Sequence, residues 1–330
     1  MRELPAQSPV ILEDEDIDGT SRQFLGWQVE LIHLGRGPIR RSGAVVPLGS
    51  TSLALVRVRR AAVLRVVSAA SDLSLMSTSP ASPPVRVASR PVGGGVCLML
   101  GPQAPAEIYF PKDCCAFILS TERIAACSAN GGESALPADA RAELRSLSTE
   151  HSALLSKCMD LIESFRRSDA PEIVAPQVQR RLRELLASSA GRLFSESLRL
   201  PPEPEDKAVR RQAVVRACAY VDEHLREPIA LDSLCTAAGV RARTLEYGFR
   251  EFYDVGPMAY LRSVRLCRVR RDLLKTRQVS ASVAKAARRW SFTHMGQFSR
   301  DYRLLFGESP SNTLARVRSR SLPATHTAVG

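Results

Sequence analysis

At 330 residues the chain has room for two or three domains of about 100–200 residues each, and its 45% hydrophobic content supports a buried core. The net charge of +12 and a pI near 9.8 favour a polyanionic partner. No apolar run approaches the roughly 18 residues of a membrane span. The polar, acidic stretch Met1–Gly19 does not read as a signal peptide, so a soluble cytoplasmic protein with no membrane partner is expected.

The excess charge sits in one place. Residues 207–318 hold 22 Lys and Arg against 10 Asp and Glu, an excess of 12 equal to that of the whole chain. Eight cysteines occur without a CxxC pair, most in apolar surroundings such as Val96-Cys97-Leu98, as buried reduced thiols would be. His33 is the only histidine before residue 150, too little for a converging metal site in the N-terminal part. Gly93-Gly94-Gly95 lacks the following lysine of a phosphate-binding loop and reads as a turn. No enzyme, no cofactor and no metal are expected.

Residues 1–137 read as a β-rich sensor or effector region. Trp27, Val29 and Leu31 alternate, and Leu53–Val58, Val63–Val67, Val96–Leu100, Glu107–Phe110 and Cys115–Leu119 follow as short β-branched or aromatic runs. Gly35-Arg-Gly-Pro38, Pro83-Pro84 and Gly101-Pro102 separate them, which suggests a small barrel or sandwich. Trp27, Met99, Tyr109 and Phe110 either fill its core or line a small apolar pocket.

Residues 138–200 read as helical. Leu144, Leu147, Leu154, Cys158, Leu161 and Phe165 recur at helical spacing over Ala138–Phe165, and a second stretch covers Gln177–Leu198. The stripe either packs on the β region or forms a dimer seam. Residues 201–206, Pro-Pro-Glu-Pro-Glu-Asp, form a stiff acidic linker, and the tail at 319–330 is expected to be disordered.

From 207 to 318 the pattern is short helices. In Leu231–Phe252 the apolar residues Leu234, Ala238, Val240, Leu245 and Phe249 flank Gly239, where the chain reverses between two helices and a φ above zero is needed. The helix after that turn projects Arg241, Arg243, Thr244, Glu246, Tyr247 and Arg250, the polar types that contact bases and phosphates. Val283–Tyr302 repeats the plan about 50 residues later. Thr293 there is expected to cap the second helix, and Thr293, His294, Met295, Gln297 and Arg300 are its expected contacts. Between the two lies a helix from Pro257 to Leu274, roughly 27 Å long at about 1.5 Å per residue. That length suits recognition helices in successive major grooves about 34 Å apart, and its arginines 262, 265, 268, 270 and 271 are expected to reach phosphates. Trp290 is expected in the core.

Val214–Val317 resembles the AraC-type DNA-binding domain. Both motifs, the linking helix, Tyr253-Asp-Val-Gly-Pro257 and the closing Leu305-Phe-Gly-Glu-Ser-Pro310 carry the resemblance. Trp290-Ser-Phe-Thr-His-Met-Gly-Gln-Phe-Ser-Arg-Asp-Tyr302 is most similar to the branch of the ethanolamine operon regulator, and Glu107–Leu119 is weakly similar to that branch's sensor region. Arg241 replaces the family's small hydroxyl cap, Ala242 its frequent proline and Ser291 its usual glycine; Thr293 replaces an exposed aromatic of the branch.

The fold expected is therefore α+β: a β-rich sensor region with dimerisation helices, then an all-α domain with two helix-turn-helix motifs. The function expected is sequence-specific binding of double-stranded DNA by an effector-responsive activator of transcription, acting as a homodimer with RNA polymerase and a small-molecule effector. The alternative is a regulator without an effector, whose N-terminal region only dimerises or contacts a protein. Arg243 is expected to pair with a guanine edge. Glu246 either accepts from cytosine or forms a surface ion pair with Arg243 or Arg250.

Overall fold

The computed structural model describes residues 9–16, 22–70, 72–122, 141–186, 192–193, 197–200, 204–275 and 282–321. Residues 201–203 of the expected linker, residues 322–330 of the tail, and Cys127 lie outside the described residues. The described residues fall into two compact units, one within Met1–Ile17, Ser21–Leu31 and Arg40–Pro204, the other within Ile32–Ile39 and Glu205–Gly330.

The N-terminal unit is a two-sheet β structure. Its strands are β1 (Val10–Asp16), β2 (Arg22–Phe24), β3 (Trp27–His33), β4 (Arg40–Pro47), β5 (Thr51–Val58), β6 (Ala62–Val67), β7 (Asp72–Thr78), β8 (Val85–Val87), β9 (Arg90–Val92), β10 (Val96–Leu100), β11 (Pro105–Phe110), β12 (Cys114–Glu122), β13 (Ala142–Ser146) and β14 (Leu198–Arg199). One sheet has the order β1-β4-β5-β12-β7-β10-β13-β14 and the other β2-β3-β6-β11-β8-β9. Its paired strands run antiparallel, for example Phe117 against Leu55 of β5 and Ser77 of β7.

The larger sheet is buried on both faces, which explains why β12 reads as a nearly unbroken apolar run. One face meets the smaller sheet through Val56, Met76, Leu98, Ala116 and Ile118 against Trp27, Val66, Ile108 and Phe110. The other is covered by helices α1 (Thr149–Arg167) and α2 (Pro171–Leu186), whose Leu155, Cys158, Ile162, Phe165, Val178 and Leu182 pack on Leu55, Leu75, Met99 and Phe117. The stripe weighed above as a dimer seam thus lies against the sheet. Trp27, Met99, Tyr109 and Phe110 are core residues, each 3% exposed or less.

Adjacent strand residues point to opposite faces, so Cys114 belongs to the core between the sheets and Cys115 to the core under the helices. Burial raises both thiols, Cys114 to about 12. Cys97 and Cys158 are likewise pushed up to about 12 by burial.

Helix α1 starts later than the apolar spacing predicts. Ala142–Ser146 is a strand paired with β10 on one side and β14 on the other, with Leu144 opposite Leu98. The helix begins only after Ser148, whose side chain accepts from His151 N–H at 3.1 Å. Leu144 mimicked the helical period because it precedes Leu147 by three residues. β7 was hidden for a different reason. Its Ser74 is fully buried, but its hydroxyl is satisfied by Trp27 Nε1–H at 3.3 Å and by Ser120 Oγ at 3.0 Å.

The C-terminal unit is helical: α3 (Glu205–His224), α4 (Leu231–Ala238), α5 (Ala242–Tyr253), α6 (Pro257–Lys275), α7 (Val283–Arg289), α8 (Met295–Phe306) and α9 (Pro310–Ser321). The fold is therefore a β-rich region followed by an all-α domain, as expected. Among the described residues no helix is long and apolar enough to cross a membrane.

Candidate nucleic-acid interface

Two helix-turn-helix motifs, α4–α5 and α7–α8, share one local construction. At the end of α4, Gly239 takes φ +70, its N–H donates to Thr236 O, and Val240 N–H reaches back to Cys235 O at 3.2 Å. At the end of α7, Ser291 N–H donates to Arg288 O at 3.0 Å and Phe292 N–H to Ala287 O at 3.1 Å. Ser291 sits at φ +61, so the serine adopts the left-handed conformation that glycine takes in the first motif. Its hydroxyl donates to the carbonyl of Arg226.

Both second helices have 12 residues and the same buried stripe. Leu245, Phe249, Phe252 and Tyr253 of α5 correspond to Phe298, Tyr302, Leu305 and Phe306 of α8. The turns match at a separation of 52 positions and the helices at 53 (Gly239 to Ser291, Ala242 to Met295), so the second turn is one residue longer. Thr293 is that extra residue. The N-cap is His294, at φ −100 and ψ 97, with no side-chain cap bond, which corrects the expected capping role of Thr293. Arg241 is the N-cap of α5 and likewise makes no side-chain cap bond. Gly248 lets α5 approach α3: a Cβ there would stand 2.8 Å from Val214 Cγ2.

On α5 and its cap, Arg241, Arg243, Tyr247 and Arg250 are exposed, while Thr244 and Glu246 are half-buried. The Arg243 guanidinium lies 5.5 Å from the Tyr247 ring centroid and its Nη2 is 3.3 Å from Tyr247 Oη. Glu246 Oε2 is 3.6 Å from Arg250 Nε, so the ion pair weighed for Glu246 forms with Arg250. On the second motif Thr293, His294, Gln297 and Arg300 are exposed and Met295 is half-buried. Gln297 Nε2 donates to Asp301 Oδ1 at 2.8 Å, and Arg262 Nη1 of α6 stands 3.4 Å from Asp301 Oδ2. Arg262, Thr293, His294 and Gln297 line a cleft of about 210 Å³.

The register exposes a residue that the sequence reading missed. Arg303 occupies in α8 the position of Arg250 in α5 and is exposed. Aligning Leu245 with Phe298 would have found it.

The arginines of α6 do not all face outward. Arg270 is 3% exposed; its Nη1 is 2.7 Å from Glu308 Oε1 and within hydrogen-bond reach of Tyr302 Oη and Thr313 Oγ1. Its guanidinium also lies over the Phe306 ring at 4.6 Å. Arg265 donates to the carbonyls of Leu225 and Glu227. Arg270 is buried in the fold, which corrects its expected role at phosphates, whereas Arg265 uses Nε and Nη2 within the fold and is half-buried. Trp290 is 7% exposed and donates to Asp272 Oδ2 at 2.8 Å, a core residue as expected.

Residues 234–316 match the family model of a helix-turn-helix domain. The chain is 31% identical over 168 residues to the probable thc operon regulatory protein of Rhodococcus erythropolis, covering 49% of each chain. It is 26% identical over 231 residues to the XylDLEGF operon transcriptional activator 1 of Pseudomonas putida, covering 68% of each. A solved structure, a probable AraC family transcriptional regulator from Rhodopseudomonas palustris, is 34% identical, with 32% of this chain and 97% of that one covered and a TM-score of 0.30. The chain spans about half the length of the Rhodococcus relative and about two thirds of the Pseudomonas one.

Proposed function

From an AraC-type helix-turn-helix domain in its C-terminal unit, we propose that this chain is a sequence-specific, double-stranded-DNA-binding regulator of transcription that places α5 and α8 in major-groove segments. One observation carries the reading: the same hydrogen-bonded helix end followed by a 12-residue helix with the same buried stripe is built twice, with exposed polar faces, in the part of the chain that holds the whole charge excess. Twin scaffolds that end in long donors suit groove contacts, and the surrounding positive charge suits the phosphate backbone.

Arg241, Arg243, Thr244, Glu246, Tyr247 and Arg250 serve the first motif, and Thr293, His294, Met295, Gln297 and Arg300 the second, with Arg303 added by register. The names of the Pseudomonas relatives support positive control of transcription. The N-terminal unit then acts as an effector-sensing and dimerising part of a cytoplasmic homodimer that contacts RNA polymerase. The second reading, a regulator whose N-terminal unit takes no effector, differs only there. Kinship with the ethanolamine branch rests on Trp290–Tyr302; the relatives compared above regulate other operons.

Selection from random duplex DNA with the purified chain, at two salt concentrations, tests the reading. It predicts an enriched site with two conserved blocks. Salt-dependent binding with no enriched sequence contradicts it, because counterion release alone carries no sequence information.

A further inference from the structure

The two motifs differ at one position that bears on base choice. Where α5 has Gly248, packed on α3, α8 has Asp301. The Asp301 side chain is only 11% exposed and holds two partners at once, Gln297 one turn earlier on the same helix and Arg262 on α6. A carboxylate accepts and does not donate, so it can face only the nitrogen of the Gln297 amide. The amide orientation is therefore set by chemistry: its oxygen and its second N–H are not used by Asp301, and the exposed Gln297 lines a cleft with Arg262, Thr293 and His294. An acceptor beside a donor in one amide plane matches the N6 donor and N7 acceptor of adenine in the major groove, and no other base offers that pair. Arg262 braces the carboxylate from a second helix, so the arrangement does not depend on α8 alone.

We infer that Asp301 is a positioning residue that presents Gln297 to an adenine, making one position under the second motif adenine-specific. This rests on the DNA-binding reading above and names what one of its contacts recognises.

Selections from random duplex DNA, followed by competition binding on the enriched site, compare the unaltered chain with Gln297→Ala, Asp301→Ala and the double variant. The unaltered chain prefers adenine at one position by about 5- to 100-fold, the range of one bidentate contact. Gln297→Ala removes that preference and leaves neighbouring positions unchanged. Asp301→Ala weakens it at the same position, and the double variant equals Gln297→Ala, because Asp301 acts only through Gln297. Asp301→Asn, nearly the same shape, serves if the alanine variant loses its fold. Its single oxygen must be shared by Gln297 and Arg262, so it also weakens the preference. The inference is overturned if Asp301→Ala and Asp301→Asn keep full adenine preference, if they lower binding equally at every position, or if Asp301→Ala adds a further loss on top of Gln297→Ala. If the unaltered chain enriches no sequence, the DNA-binding reading fails first and this inference with it.

Discussion

The Ser291 hydroxyl donates to the carbonyl of Arg226, so the turn of the second motif is tied to the segment that follows α3. Arg265 binds the carbonyls on either side, those of Leu225 and Glu227, and the Arg226 guanidinium lies 5.3 Å from the Trp290 ring centroid. Three neighbouring residues thus anchor both the linking helix and the second turn, which couples the two motifs mechanically.

Ser291 combines a strained backbone with a useful hydroxyl, and two substitutions separate the two. Left-handed backbone costs a non-glycine residue about 1–2 kcal/mol, and a hydroxyl hydrogen bond contributes about 0.5–1.5 kcal/mol. Ser291→Gly relieves one and loses the other, so its stability stays within about 1 kcal/mol of the original. Ser291→Ala keeps the strain and loses the bond, and falls below both by about 1 kcal/mol in urea unfolding. Equal stability of the alanine and serine chains would show that the bond to Arg226 contributes nothing.

The pair Arg270–Glu308 closes the second motif onto α9, together with Tyr302 and Thr313, whose side-chain oxygens are 2.9 Å apart. Removing one partner strands a charge in a nearly dry site, which costs about 3–5 kcal/mol. Glu308→Ala is therefore expected to lower the unfolding midpoint strongly. An effect below about 1 kcal/mol would mean that water reaches Arg270.

Burial of the thiols gives the N-terminal unit a pH dependence of definite sign. Cys97, Cys114 and Cys158 rise from the 9.0 of an exposed thiol to about 12 in the fold. Above pH 9 the unfolded chain releases these protons and the folded chain keeps them. Their contribution is thus complete below pH 9 and is lost as pH rises, by up to about 1.4 kcal/mol per thiol per pH unit. Native alkylation at pH 8 is expected to spare all three, and unfolding midpoints are expected to drop between pH 8 and pH 10. Ready labelling of Cys97 in the folded chain would refute the burial.

Arg243 is held against Tyr247 before DNA arrives. Because that stacking pre-orders the guanidinium, Tyr247→Ala is expected to weaken binding to the selected site and to relax the same base position as Arg243→Ala. Each substitution costs about 1–3 kcal/mol of discrimination. If the two variants relax different positions, Tyr247 reads a base of its own.

Much of this was legible in the sequence, for local reasons. β5, β10 and β12 are apolar runs between turn residues, and Gly239 and Pro257 mark helix boundaries with their own backbone chemistry. What escaped depends on distant partners. The burial of Arg270 needs Glu308 and Thr313, roughly 40 residues downstream, and β7 carries Ser74, which Trp27 and Ser120 make tolerable inside a core. In the site, the exposed polar faces of α5 and α8 were visible from periodicity, but the extra residue in the second turn was not, so Thr293 looked like a cap and Arg303 went unread.

The central claim, that two mechanically coupled helices read one face of the duplex, is tested most directly by spacing. The affinity of the purified chain is measured for its selected site and for the same site with about 5 base pairs, half a helical turn, inserted between the two conserved blocks. Rigid coupling predicts that the insertion reduces affinity to that of a site with one block scrambled. Undiminished affinity would contradict it, since the motifs would then bind independently.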